Sequence, residues 1–313
     1  MTTDASVGIL FDTLQHKLGL KWAGSRHGEG RSIKNPQFAS AATALVGHLN
    51  LIRPNCVQIL GAIEIQHLER LSESSRRDLI DQIFSDSTDL IVIGDNQPVP
   101  DDIRQRSETG SVPLLSSDQP TAQLVSYLQY YLTTLFAEKI ILHGVFLEVF
   151  SLGLLITGDP SVGKSELALE LVARGHRLVA DDAPVFAKTA PDVLNGYCPD
   201  ILRDFLEVRG LGVLNVRAMF GDSAIKQNRN LRLILKLVQM SEEQIHSIDR
   251  LHGARATRTI LGVEVPEIAL PVAPGRNLAV LAETAARNQT LRLKGFDSAQ
   301  LFMDRQARFM ENS

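Results

Sequence analysis

Short apolar runs separated by polar, turn-forming stretches recur along the chain, and they predict alternating strands and helices. Residues 90–93 are apolar throughout, and residues 57–60 are apolar but for Gln58, as expected of strands buried on both faces. Between them, residues 65–84 mix charge with Leu68, Leu71, Leu79, Ile80 and Ile83, the pattern of a partly amphipathic helix pair. Asp95-Asn96-Gln97-Pro98 and residues 116–120 carry turn chemistry, and residues 124–136, rich in Leu and Tyr, predict a helix leading out of this half. The expected organisation is α/β: a small N-terminal domain over residues 1–132 and a second domain over 133–313. In the second, strand-like segments dominate at 140–142, 147–150, 154–157, 177–180, 231–237 and 268–272, before a final helix at 278–289. No internal repeat or low-complexity tract interrupts this pattern.

Residues 154–157 lead into Gly158-Asp159-Pro160-Ser161-Val162-Gly163-Lys164-Ser165, which fits G-x-x-x-x-G-K-[ST] at every fixed position. Glycines let the backbone wrap so that several N–H groups point at phosphate oxygens. Lys164 adds a point charge at the outer phosphates, and Ser165 a hydroxyl for magnesium. A helix is predicted over 165–174, with Leu167, Ala168, Leu171 and Val172 on one face and Gly175 placed for a left-handed C-cap. Strand, glycine loop and helix thus follow in the order that phosphate binding requires, with the positive helix end against the anion.

Composition narrows the classes. A formal net charge of −4 gives no electrostatic case for a nucleic-acid partner. No apolar run approaches the roughly 20 residues that cross a bilayer. The N-terminus lacks a basic, then apolar, secretory pattern, and the two cysteines, Cys56 and Cys198, fit a reducing compartment without metal-ligand spacing. A cytoplasmic protein is expected.

Several polar groups gather around the loop in sequence. Residues 177–180 read as a strand ending in Asp181-Asp182, expected to return beside the phosphate-loop strand with its acids near the transferred phosphate. Adjacent strand residues face opposite ways, so one carboxylate would take the proton of an attacking hydroxyl and the other bind metal or neighbouring backbone; the alternative is a solvated turn at the strand's end. Glu207 and Arg209 share one side of an extended segment before Gly210 and Gly212; they suit magnesium and phosphate respectively, or a structural ion pair with each other. His143 reads either as a structural histidine or as a hydrogen-bonding partner for phosphate. Arg250 and Arg276, in polar loops, are candidates to neutralise a transferring phosphoryl group, or belong to ordinary surface loops.

Together, His143-Gly144-Val145, residues 158–166, Leu178-Val179-Ala180-Asp181-Asp182, residues 206–215, Asp249-Arg250-Leu251 and Pro274-Gly275-Arg276-Asn277 resemble the bacterial HPr(Ser) kinase/phosphorylase family in identity and order. Residues 58–61, 90–94 and 112–115 carry a looser resemblance in the N-terminal half. The resemblance implies a P-loop kinase domain of the phosphoenolpyruvate carboxykinase type. It implies a bifunctional enzyme that phosphorylates a serine of the phosphocarrier HPr from ATP or pyrophosphate, and removes that phosphate with inorganic phosphate, releasing pyrophosphate. It makes Asp182 the proton acceptor in one direction and donor in the other. His143, Lys164 and Arg250 become further catalytic positions, Ser165 and Glu207 Mg²⁺ ligands, and residues 272–277 a segment for dephosphorylation. It also implies a homohexamer. Two positions depart from the family: Pro160-Ser161 stands where Ser-Gly is common, and Ala273 where a cation is frequent. The second bears on the phosphorylase activity more than on the kinase activity. The competing readings are a kinase of a small metabolite or a phosphoenolpyruvate-carboxykinase-like enzyme, and a nucleotide sensor without turnover; intact Lys164, Ser165, Asp182 and Glu207 argue against the sensor.

Overall fold

The computed structural model of the chain describes residues 6–26, 28–34, 44–52, 54–241, 244 and 253–311. It divides into two units, residues 1–136 and 137–313.

In the first unit, helix α1 (Val7–Leu18) starts on Ser6, whose side chain accepts the Ile9 N–H, and stops at Gly19 in the left-handed region. Strands β2 (Ala44–His48), β3 (Asn55–Leu60), β4 (Leu90–Ile93) and β5 (Leu114–Ser116) run parallel, and β1 (Lys21–Trp22) adds an antiparallel edge, in the order β1-β5-β4-β3-β2. Strand alternation splits the sheet's side chains between two cores. Val57, Ile59, Leu90, Val92 and Leu115 pack with α1 and α5 (Thr121–Phe136). Leu60, Ile91, Ile93 and Leu114 pack with α2 (Ala62–Arg70), α3 (Glu73–Ile83) and α4 (Asp101–Thr109). The expected helix pair is present, divided where Ser72 caps α3 by accepting the Ser75 N–H.

The second unit carries a mixed sheet. Its elements are β6 (Lys139–Ile141), β7 (Val145–Val149), β8 (Leu152–Gly158), α6 (Lys164–Ala173), β9 (Arg177–Ala180), β10 (Val185–Ala190), β11 (Val193–Tyr197), β12 (Phe205–Val208), β13 (Gly212–Asn215), α7 (Val216–Phe220), β14 (Asn228–Gln239), β15 (Arg255–Ile260), β16 (Val263–Val272), α8 (Leu278–Leu293) and α9 (Ser298–Glu311). Strand β14 lies at the centre, parallel to β8 on one side and β16 on the other. Leu154, Ile156, Leu233 and Leu235 pack against Leu167, Leu171, Ala279 and Ala282 of α6 and α8. The other face buries Phe146, Leu155 and Ile234 with Phe186, Leu194 and Val265. Gly158 pairs with Leu237, and Gln239 with Val272, so β8, β14 and β16 all end at one edge of the sheet.

Three expectations are corrected here. Strand β9 does not lie beside β8, because β7 stands between them, paired antiparallel to both. The tight Phe150-Ser151 hairpin makes β7 the nearest partner for β8, leaving β9 the outer edge. The segment 147–150 shifts to Val145–Val149, since Phe150 is the first left-handed residue of that hairpin. The helix at 278–289 extends to Leu293 and is not the last, because Gly295 (φ +83) reverses the chain into α9.

Candidate active site

The phosphate loop joins β8 to α6, and local geometry explains each glycine. Gly158 has φ +140, and a Cβ there would stand 2.5 Å from the Leu237 carbonyl oxygen, so only glycine lets the loop leave beside β14. Gly163, at φ +101, is the N-cap of α6 and offers no side chain to the first-turn N–H groups. The helix end therefore carries no side-chain cap, and its N–H groups and positive dipole end can accept an anion. The Lys164 ammonium donates to the Gly158 and Asp159 carbonyls at 3.0 and 2.9 Å, folded back over its own loop.

A cavity of about 650 Å³ lies over this loop. Three further segments reach it: His143 and Gly144 after β6, Asp181 and Asp182 after β9, and Glu207 and Arg209 of the β12–β13 hairpin; Ser165 and Glu166 of α6 complete the lining. Gly144 permits the first of these approaches, because a Cβ there would lie 2.3 Å from the Ile156 carbonyl oxygen. Of the eight motif residues, Gly158, Pro160, Ser161, Gly163, Lys164 and Ser165 line the cavity, whereas Val162 turns into the core and Asp159 contributes its carbonyl to Lys164. Arg250 lies outside the described residues. Arg276 is exposed on the turn after β16, at the same edge of the sheet but not on the cavity wall.

The paired aspartates have separate tasks. Asp181 is half-buried and accepts the Glu207 N–H at 2.8 Å and the Asp182 N–H at 2.9 Å, tying the β12–β13 hairpin to the end of β9. Burial raises its carboxyl above the usual range; the charges of Asp182 and Glu207 add to this, and the two N–H bonds oppose it. Asp182 points outward with 84% of its side chain exposed, on a left-handed backbone (φ +62), and its Oδ1 stands 3.9 Å from His143 Nδ1. Sequence spacing identified the pair but could not show that Asp181 anchors the hairpin.

Arg209 donates to the Ser161 hydroxyl across the loop, so the hairpin also grips the phosphate loop from above. Ser161 holds φ +67, a conformation that disfavours a non-glycine residue. No sequence signal identified this contact. Among the described residues, no group of three His, Cys, Asp or Glu side chains is arranged to hold a metal by itself. Ser165, Asp181, Asp182 and Glu207 nevertheless give the wall oxygen donors with surplus negative charge. That set suits Mg²⁺, which binds through one or two protein oxygens together with substrate phosphates.

Comparison with known proteins gives a consistent result. A family model described as the HPr Serine kinase N terminus matches residues 6–132, and one described as the HPr Serine kinase C-terminal domain matches residues 134–306. The HPr kinase/phosphorylase of Stenotrophomonas maltophilia (strain R551-3) is 48% identical over 312 residues, covering 99% of each chain. That of Xylella fastidiosa (strain M12) is 47% identical over 312 residues, again covering 99% of each. The solved Hpr(Ser) kinase/phosphatase of Coxiella burnetii is 37% identical, covering 52% of this chain and 98% of its own at a TM-score of 0.45.

Proposed function

The chain belongs to the HPr serine kinase family, and on that premise we propose that it moves phosphate to and from a serine of HPr. It is a kinase/phosphorylase: ATP or pyrophosphate is the donor in one direction, and inorganic phosphate the acceptor in the other, with pyrophosphate as product. The observation that carries this reading is the convergence of phosphate loop, paired aspartates and acidic–basic hairpin on one cavity.

The loop amides and Lys164 would hold the donor phosphates, Lys164 turning from the two carbonyls it now caps. Arg209 is placed to neutralise phosphate charge at the loop's rim. Asp182, exposed and beside His143, takes the proton of the HPr serine as its oxygen attacks. In reverse, phosphate attacks the phosphoserine phosphorus, the serine oxygen leaves with the proton that Asp182 returns, and pyrophosphate departs. One carboxyl serves both directions because reversal exchanges its acid and base roles. His143 orients Asp182, and Arg250 adds a further cation by the family's pattern. Ser165 and Glu207 are the proposed ligands of Mg²⁺, which supplies charge neutralisation at the donor phosphates.

Residues 133–313 form the proposed catalytic domain, a P-loop domain of the phosphoenolpyruvate carboxykinase type; a mixed sheet with the loop beside its central strand supports this. Residues 1–132 form a separate α/β domain without an assigned role. A homohexamer is proposed from the family, and the exposed Phe302 and Met310 on α9 offer apolar surface for a second copy. Among the described residues no helix is long and apolar enough to cross a membrane; a cytoplasmic location is proposed from the family.

The test is transfer to purified HPr with ATP or pyrophosphate and Mg²⁺, followed by added phosphate, with phosphoserine read by mass spectrometry and pyrophosphate by ³¹P NMR. Serine phosphorylation reversed with pyrophosphate release is expected. Nucleotide binding without transfer in either direction would refute the assignment.

A further inference from the structure

A second cleft, of about 500 Å³, opens at the end of the sheet opposite the phosphate loop. Its floor is the start of β8 and of β14; its walls are the Phe150-Ser151 hairpin, Asn195 of β11, and Thr290 and Leu293 of α8. Three cations line it, Lys226, Arg229 and Arg232, and no carboxylate does, in a chain whose net charge is −4. Arg229 is committed: it pairs with the buried Glu148 at 3.1 Å and donates to the Ser151 carbonyl. Lys226 and Arg232 have no side-chain partner among the described residues, although both are half-buried.

The surroundings are already ordered. Asn195 donates to the Asn230 carboxamide at 3.0 Å, across a strand pair that also brings Asn228 to the cleft. The Phe150 ring is fixed between the Arg287 guanidinium, 3.7 Å from its centroid, and the His176 ring at 4.7 Å. Phe150 and Ser151 both hold left-handed backbone, φ +48 and +64. Two free cations thus face a fixed wall of three carboxamides and one aromatic edge. Cations recognise an anionic group, and carboxamides exchange hydrogen bonds with hydroxyl or carbonyl groups beside it.

We propose that this cleft binds a small organic dianion carrying hydroxyl groups, the chemistry shared by phosphate esters and hydroxy-polycarboxylates. The inference does not rest on the proposed function, because none of its residues belongs to the phosphate-loop cavity.

Titration calorimetry of the full chain with glycerol 2-phosphate and with citrate tests it and separates the two sources. At least one probe is expected to bind with a dissociation constant of about 1 mM or tighter. Binding should persist in Lys164→Met, which disables the phosphate loop, and weaken about tenfold or more in Lys226→Gln/Arg232→Gln. A response to one probe alone assigns the ligand class. Absence of binding by both probes, or binding lost in Lys164→Met and unchanged in the double variant, overturns the proposal. Should the double variant fail to fold, hydrogen exchange on the unmodified chain decides. Probe-dependent protection is expected at residues 226–232, and protection confined to 158–166 overturns the proposal.

Discussion

Replacing Glu283 by Gln should destabilise the second unit, and by an amount the structure allows to be worked out. Glu283 lies on α8 and accepts two hydrogen bonds from Arg174, at 2.9 and 2.6 Å, and one from His176 Nε2 at 3.0 Å. Arg174 is the C-cap of α6 and His176 opens the path into β9, so this carboxylate clamps the far end of the phosphate-loop helix. The Arg174 hydrogen bonds, assisted by His176 and by both positive charges against a cost of burial, hold its carboxyl at about 2, from an ordinary 4.5. At about 1.4 kcal/mol per unit, that difference corresponds to roughly 3.5 kcal/mol as an upper limit. Solvent reaches the pair, since Arg174 is 38% exposed, and screening reduces the expected loss to about 1–2 kcal/mol. The sign follows from a depressed carboxylate: its stabilisation is complete above the unfolded value of 4.5 and is lost as pH falls through about 2. The stability difference between the parent and Glu283→Gln should therefore shrink by about half or more between pH 5 and pH 3. Urea unfolding followed by far-ultraviolet circular dichroism measures it; tryptophan fluorescence does not, because Trp22, the single tryptophan, lies in the first unit. A difference that is constant over this range, or below about 0.5 kcal/mol at pH 7, would refute the charge-assisted clamp.

Three further outcomes follow from the active site. Gly158→Ala places a Cβ 2.5 Å from the Leu237 carbonyl oxygen at φ +140, a strain of about 1–3 kcal/mol, so nucleotide affinity should fall by about tenfold or more; unchanged calorimetric affinity would remove the cradle assignment. Asp182→Asn should keep nucleotide affinity within about threefold yet slow both transfer directions by roughly 10²–10⁴, and comparable single-turnover rates would exclude Asp182 as the base. Ser161→Gly relieves the left-handed serine but releases Arg209, so Ser161→Gly and Arg209→Ala should be non-additive in nucleotide affinity by about 1 kcal/mol in a double-mutant cycle. Strict additivity would show that the Arg209–Ser161 contact does not act on the loop.

The sequence alone determined whatever is encoded in contiguous residues. Buried strands such as Leu90–Ile93 are legible because no polar side chain interrupts them, and α6 because its apolar positions recur at helical spacing after a glycine loop. The candidate site residues could be named for the same reason: a phosphate loop, an Asp pair and an extended segment carrying Glu207 and Arg209 are short words, each with its own chemistry. Strands β10, β11, β13 and β15 were not legible, since their alternation is interrupted by glycine and charge and their stability comes from neighbours in the sheet. Only the tertiary structure decided that β7 separates β8 from β9, because strand order depends on long-range pairing that no local pattern records. Tertiary contacts also separated the two aspartates: partial burial and the Glu207 N–H from another segment hold Asp181, while a left-handed turn leaves Asp182 exposed. Local sequence carries propensity and side-chain chemistry, whereas burial and partnership between distant segments exist only in the folded chain.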